Sequence, residues 1–210
     1  KDETGYAVVK MLNGYLYVRR CGGIAVGYSE EALKKLAVIA KEEQVNEIIV
    51  ESNFGDGMFN QLFMPVLNKV HSVTMSEVRH NTQKERRIID VLEPVMNQHR
   101  LVMDKKVIQK DFDSCQHLPP EQALRYQLMY QLTRLTADRG ALTNDDRLDA
   151  LAMACQYWVD AMAQDVEQRM GVRKEELMAA EINRLREQAS MDFAVITGHQ
   201  SEKTTNNLRW

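Results

Sequence analysis

Apolar and β-branched residues crowd positions 6–12 (YAVVKML) and 15–20 (YLYVRR), and the Asn13-Gly14 pair between them is a strong short-range hairpin signal. The pattern predicts two opening antiparallel strands. From position 30 the period changes: Leu33, Leu36, Ala37 and Ala40 recur at helical spacing, Ser29 stands at the cap and Glu30 and Glu31 fill the first turn. This predicts an amphipathic helix. A short buried strand follows at 47–52 (EIIVES), then a glycine-rich turn at 53–57, then a helix from about 59 to 70 in which Pro65 predicts a kink or a late start. Residues 73–78 read as a strand, 84–97 as a helix and 101–103 as a short strand. Alternation of this kind predicts an α/β fold, a mixed sheet flanked by helices.

Pro119-Pro120 begins a helix running to about 137, and 145–162 forms another. Residues 164–189 read as a charged helix broken near Gly171, and the last thirteen residues carry no apolar period. The division expected is a main domain at 1–163 and, at 164–210, a C-terminal helical appendage with a loose tail.

Composition narrows the class. With 210 residues, 44% hydrophobic and 27% charged, the chain can bury one sizeable core and is neither fibrous nor disordered. No apolar run approaches the ~20 residues that cross a bilayer, and no signal-peptide pattern opens the chain, so a cytoplasmic protein without membrane contact is expected. The opening Lys1-Asp2-Glu3-Thr4-Gly5 lacks an initiator Met and reads as a piece of a longer polypeptide. Cys21, Cys115 and Cys155 form no metal-ligand spacing and are expected to be reduced thiols. The net charge of -3 argues against a protein that coats nucleic acid, although a local basic patch is compatible with it.

The chemistry concentrates at two places. Glu51 ends the apolar run Ile48-Ile49-Val50 just before the glycine turn, where α/β sheets place their sites; one such glutamate alone is more often a solvated strand end. The second place is Asp145, Asp146 and Asp149, behind Thr143 and Asn144. Helix capping accounts for one or two of these acids but not for three on one side, where like charges repel. Repelling carboxylates require a cation, and hard divalent ions take such oxygen ligands. Small residues at Ala150, Ala152 and Ala154 let the helix pack closely on the sheet and bring Asp146 toward Glu51.

A strand-end glutamate followed by D-x-x-D-A-L-A-x-A resembles the pattern of RuvC and ribonuclease-H-like nucleases. The segments KDETGYAVV at 1–9, IIVESNFGDG at 48–57 and QKERRI at 83–88, with the Asp145 helix, are together similar to the C-terminal nuclease domain of tailed-phage terminase large subunits of the T7-like kind. The likeness spans about residues 1–160. It implies a ribonuclease-H-like fold and an endonuclease that uses two Mg²⁺ or Mn²⁺ ions to cut concatemeric double-stranded DNA in the infected host's cytoplasm. It also implies an ATPase domain on the same polypeptide, with the small terminase subunit and the portal as partners. This chain carries no G-x-x-x-x-G-K-[ST] of its own, so ATP belongs to that motor domain.

Residue by residue, Glu51 matches the family's second acid. Asp146 matches the third, with Asp149 accessory and Asp145 the alternative if the register shifts by one. The family's first aspartate falls upstream of the position of Lys1, and Asp2 matches a further acidic position able to assist at the metals. The expected catalytic set is Glu51, Asp146 and Asp149, and the expected metal set adds Asp145 and Asp2.

Arg79, His80, Lys84, Arg86 and Arg87 cluster at a strand-to-helix turn and are candidate contacts to a DNA backbone, or equally a solvated face. No G-x-S-x-G occurs, which counts against a serine hydrolase. The alternatives are a RuvC-like junction resolvase and a non-catalytic module that docks the packaging motor on the portal.

Overall fold

A computed structural model of the chain describes residues 3–25, 29–52 and 57–202. Asp2, most of the glycine turn after Glu51 and the last eight residues of the expected tail lie outside these. The chain divides into two compact units, Lys1–Asp160 and Ala161–Trp210.

In the first unit β1 (Glu3–Leu12) and β2 (Tyr15–Ala25) form the expected antiparallel hairpin. Asn13 (φ 52) and Gly14 (φ 78) supply the two left-handed residues that a turn matched to strand twist requires. The register shifts between Val8 and Val9, a bulge that increases local twist. β5 (Leu101–Met103) joins β2 in parallel, giving a mixed sheet of order β1-β2-β5. β3 (Glu47–Glu51) and β4 (Thr74–Val78) pair in parallel as a second sheet. The five strands therefore lie in two small sheets, and β1 and β3 each present an edge with no partner strand among the described residues.

α1 (Glu30–Glu42) begins where Ser29 accepts a hydrogen bond from the Ala32 amide, as its cap position predicts. α2 (Met58–Asn68) continues through Pro65 without ending there. Leu33, Ala37 and Ala40 of α1 meet Phe59, Phe63 and Leu67 of α2 over Ile48 and Val50 of β3. Each buried Leu or Phe side chain here contributes about 1.5–3 kcal/mol, so this cluster anchors β3 and holds Glu51 at its end. α3 (Lys84–Asn97) spans the predicted residues.

Three elements differ from the sequence expectation. α4 (Lys105–Ser114) is a helix that the apolar pattern does not announce, because a buried Asp111 stands where an apolar residue would complete the period. The helix expected from 120 to 137 is two, α5 (Pro120–Tyr126) and α6 (Leu128–Arg134). Gln127 is extended (ψ 131), and the Leu128 amide donates to Asp111 Oδ2 at 2.8 Å instead of continuing the first helix. α7 (Asp146–Glu202) runs unbroken through Gly171. A mid-helix glycine costs only about 1 kcal/mol against alanine, which flanking Met, Arg, Lys, Glu and Leu offset.

The side chains of residues 163–187, in the second unit, are exposed. Among the described residues no helix is long and apolar enough to cross a membrane.

Cys21, Cys115 and Cys155 are all free and buried. Burial pushes the Cys155 thiol up to about 12 and raises the other two. A thiol reagent at neutral pH should therefore label none of them rapidly in the native protein and all three once urea unfolds it. Fast labelling of any native thiol, read by mass spectrometry, would contradict the closed core.

Candidate active site

Glu51 ends β3 opposite Val78 of β4, so the parallel pairing sets its carboxylate beside the turn that leads into α3. Across from it, Asp145 accepts the first helical bond of α7, from the Asp149 amide to its carbonyl at 2.8 Å. Asp146 is then the first helical residue and Asp149 lies one turn on. Asp145 is thus the residue that flanks the helix start. Glu51, Asp146 and Asp149 line one cavity of about 560 Å³, together with the open edges of β1 and β3. Residues 95 apart in sequence thus line one opening.

The close approach of α7 depends on a small residue in β1. A Cβ at Gly5 would lie 2.1 Å from the Asp146 carbonyl oxygen, a backbone atom that cannot move aside. Glycine there admits the start of α7 against the strand.

Three residues read as DNA contacts turn inward. Lys84 Nζ, on the first turn of α3, lies 2.8 Å from Asp145 Oδ1 and 3.2 Å from Asp149 Oδ2. Arg87 donates through NH2 to Asp149 Oδ1 at 2.7 Å and through NH1 to His80 Nδ1 at 2.5 Å. Because Nδ1 accepts from Arg87, its 3.5 Å separation from Glu51 Oε1 is not a hydrogen bond. Burial disfavours the Lys84 ammonium, yet Asp149 and Asp145 outweigh it and its pKa is raised. Burial also pushes the Asp149 carboxyl upward, against the pull of Lys84 and Arg87. The cations that three neighbouring acids demand are here provided in part by α3. Arg79 and Arg86 remain exposed.

Carboxylate oxygens suit a hard divalent ion. The described residues do not by themselves complete a site for one: no three Asp, Glu, His or Cys among them gather closely enough. Both oxygens of Asp149 are engaged by Lys84 and Arg87, and Asp2, another expected ligand, lies outside the described residues.

Sequence reasoning missed a buried ionic cluster beside the cavity. Arg147, 2% exposed, lies between Glu3 of β1 and Asp111 of α4. Its position offered a signal: Arg147 shares the buried stripe of α7 with Leu148, Leu151, Ala152 and Cys155, and a charge on an apolar stripe requires a buried partner.

Residues 1–101 match the family described as Terminase Bacteriophage T7, Ribonuclease H-like domain. The chain is also 46% identical over 165 residues to the terminase large subunit of Enterobacteria phage T3, covering 79% of this chain and 28% of that protein. It spans little more than a quarter of that relative's length. Over residues 1–101, just under half of its length, the chain is similar to the T7-type terminase ribonuclease H-like domain family.

Proposed function

We propose that this chain is the DNA endonuclease domain of a viral packaging terminase, cutting concatemeric double-stranded DNA in the host cytoplasm with Mg²⁺ or Mn²⁺. An ATPase domain on the same polypeptide, the small terminase subunit and the portal are its proposed partners. The observation that carries this reading is that Glu51 and Asp146 line one cavity, in a chain akin to a terminase large subunit. Divalent ions, when bound, supply activated water and stabilise charge on the reacting phosphate. The role of this chain's own residues is to place oxygen donors at the end of β3 and the start of α7. Lys84 and Arg87 limit the repulsion among the acids until substrate or ion arrives. The test is nicking of supercoiled plasmid in matched Mg²⁺, Mn²⁺ and chelator series, with chelation expected to stop cleavage.

DNA reaches this cavity past Arg79 and Arg86, the exposed members of the basic turn. Replacing both by alanine should weaken DNA binding and reduce the slope of log K against log salt by about 1–2, because each phosphate contact contributes about 0.9. The melting temperature should hardly change. An unaltered slope would identify these arginines as a solvated face.

One observation favours a second reading, that of a non-catalytic docking module. The pairing of Asp145 and Asp149 with Lys84 and Arg87 gives those acids a structural role that requires no ion. Plasmid nicking that survives loss of Glu51 would support this alternative.

A further inference from the structure

The first turn of α7 is held by more polar bonds than a helix start requires. Arg147 donates through Nε to Glu3 Oε1 at 2.6 Å and through NH2 to Glu3 Oε2 at 3.1 Å. Its NH1 donates to Asp111 Oδ1 at 2.6 Å and to Ser114 Oγ at 2.9 Å. The next residue is fixed as well: the Leu148 amide donates to Gln131 Oε1 at 3.0 Å. On the other side of the clamp a Cβ at Gly23 would lie 1.9 Å from the Glu3 carboxylate, so glycine in β2 leaves room for Glu3 to reach Arg147. Three elements, β1, α4 and α6, thus bond two consecutive residues of α7, with β2 leaving room for the bond from β1.

Such a clamp sets rotation as well as position. Successive helical residues point about 100° apart, so fixing the Arg147 side chain and the Leu148 amide determines where Asp146 points. Buried ion pairs are a poor source of stability but can select one geometry over its neighbours. We infer that Arg147, held by Glu3 and Asp111, is a positioning residue that aims Asp146 into the cavity shared with Glu51. This inference rests on the nuclease reading for its consequence in catalysis, and on the hydrogen bonds alone for its structural part.

Glu3 is the better target for a test, because removing Arg147 itself endangers folding. Glu3→Gln preserves shape and one acceptor, whereas Glu3→Ala removes both. Three measurements are made on each variant: kcat and KM for plasmid nicking per folded molecule, thermal melting, and hydrogen exchange of the Asp149 amide, which bonds Asp145. Glu3→Ala should lower kcat by about 10–100-fold with KM within about twofold, since small misplacements of reacting groups cost rates of that order. Glu3→Gln should recover part of the loss. Asp149 amide exchange should quicken about tenfold in Glu3→Ala without global unfolding. Unchanged kcat and unchanged amide protection in folded Glu3→Ala would overturn the inference. So would a loss of activity that merely follows the unfolded fraction while protection persists. If the chain extended upstream by the segment that carries the family's first aspartate does not nick DNA in any metal, the nuclease reading fails, and the exchange measurement still decides the positioning role.

Discussion

Glu51→Ala should abolish plasmid nicking, lowering the rate by on the order of 10³-fold or more while leaving the melting temperature within a few degrees. The magnitude follows from the role proposed: charge stabilisation at the reacting phosphate is a matter of several kcal/mol, and each 1.4 kcal/mol is tenfold in rate. The absence of a large stability effect follows from position. Glu51 ends its strand, its side chain is 30% exposed, and the 3.5 Å approach to His80 is too long to hold it. A glutamate serving only as a solvated strand end would give a variant with unaltered nicking. Glu51→Gln sharpens the comparison, since the amide preserves volume and hydrogen bonding but cannot balance a cation; both variants should be similarly inactive. Activity in Glu51→Gln with loss in Glu51→Ala would mean that shape rather than charge is required there.

Much of the architecture was legible because its signals are local. Asn13-Gly14 specifies a turn through two left-handed residues, Ser29 caps α1 by its own hydroxyl, and the apolar period of α3 needs no partner to be read. What escaped depends on contacts between distant residues. The break at Gln127 is made by Asp111, seventeen positions before Leu128, and α4 is hidden because the same aspartate interrupts its apolar face. One buried carboxylate therefore accounts for two misread elements.

The candidate site shows the same division. Glu51 and Asp146 line the same cavity, one from a strand end and the other from a helix start. The inward turn of Lys84 and Arg87 was not readable, because a charged first turn looks the same whether it faces water or an acidic helix across the fold. Three acids repelling one another do require a cation, and nothing in their spacing says whether it is an ion or a lysine. The proposed metal chemistry and the observed ion pairs are therefore competitors for the same oxygens at Asp149.

Arg147→Met should be the most destabilising single change outside the apolar core, costing about 3–5 kcal/mol, the range for removing one partner of a buried charge pair. Methionine fills a similar volume, so the loss is electrostatic: it strands Glu3 and Asp111, the latter only 2% exposed. In the native protein burial disfavours the Arg147 charge, yet the bonds to Glu3 and Asp111 outweigh it and raise its pKa. Burial likewise raises the Asp111 carboxyl above its ordinary 3.8, with Arg147 pulling it back down. Without Arg147 that pull disappears and the folded-state pKa of Asp111 rises further. A carboxyl with a raised folded pKa takes up its proton more readily in the folded state than in the unfolded one, so its charge costs the fold nothing well below 3.8 and the full penalty above the raised value. The stability deficit of Arg147→Met should therefore be largest near neutral pH and narrow toward pH 4, as read from paired urea melts of variant and wild type. Adding Asp111→Leu to Arg147→Met should restore part of the stability at pH 7, because an apolar pair requires no counter-charge. A deficit equal at both pH values, or no recovery in the double variant, would show that packing rather than charge governs this part of α7.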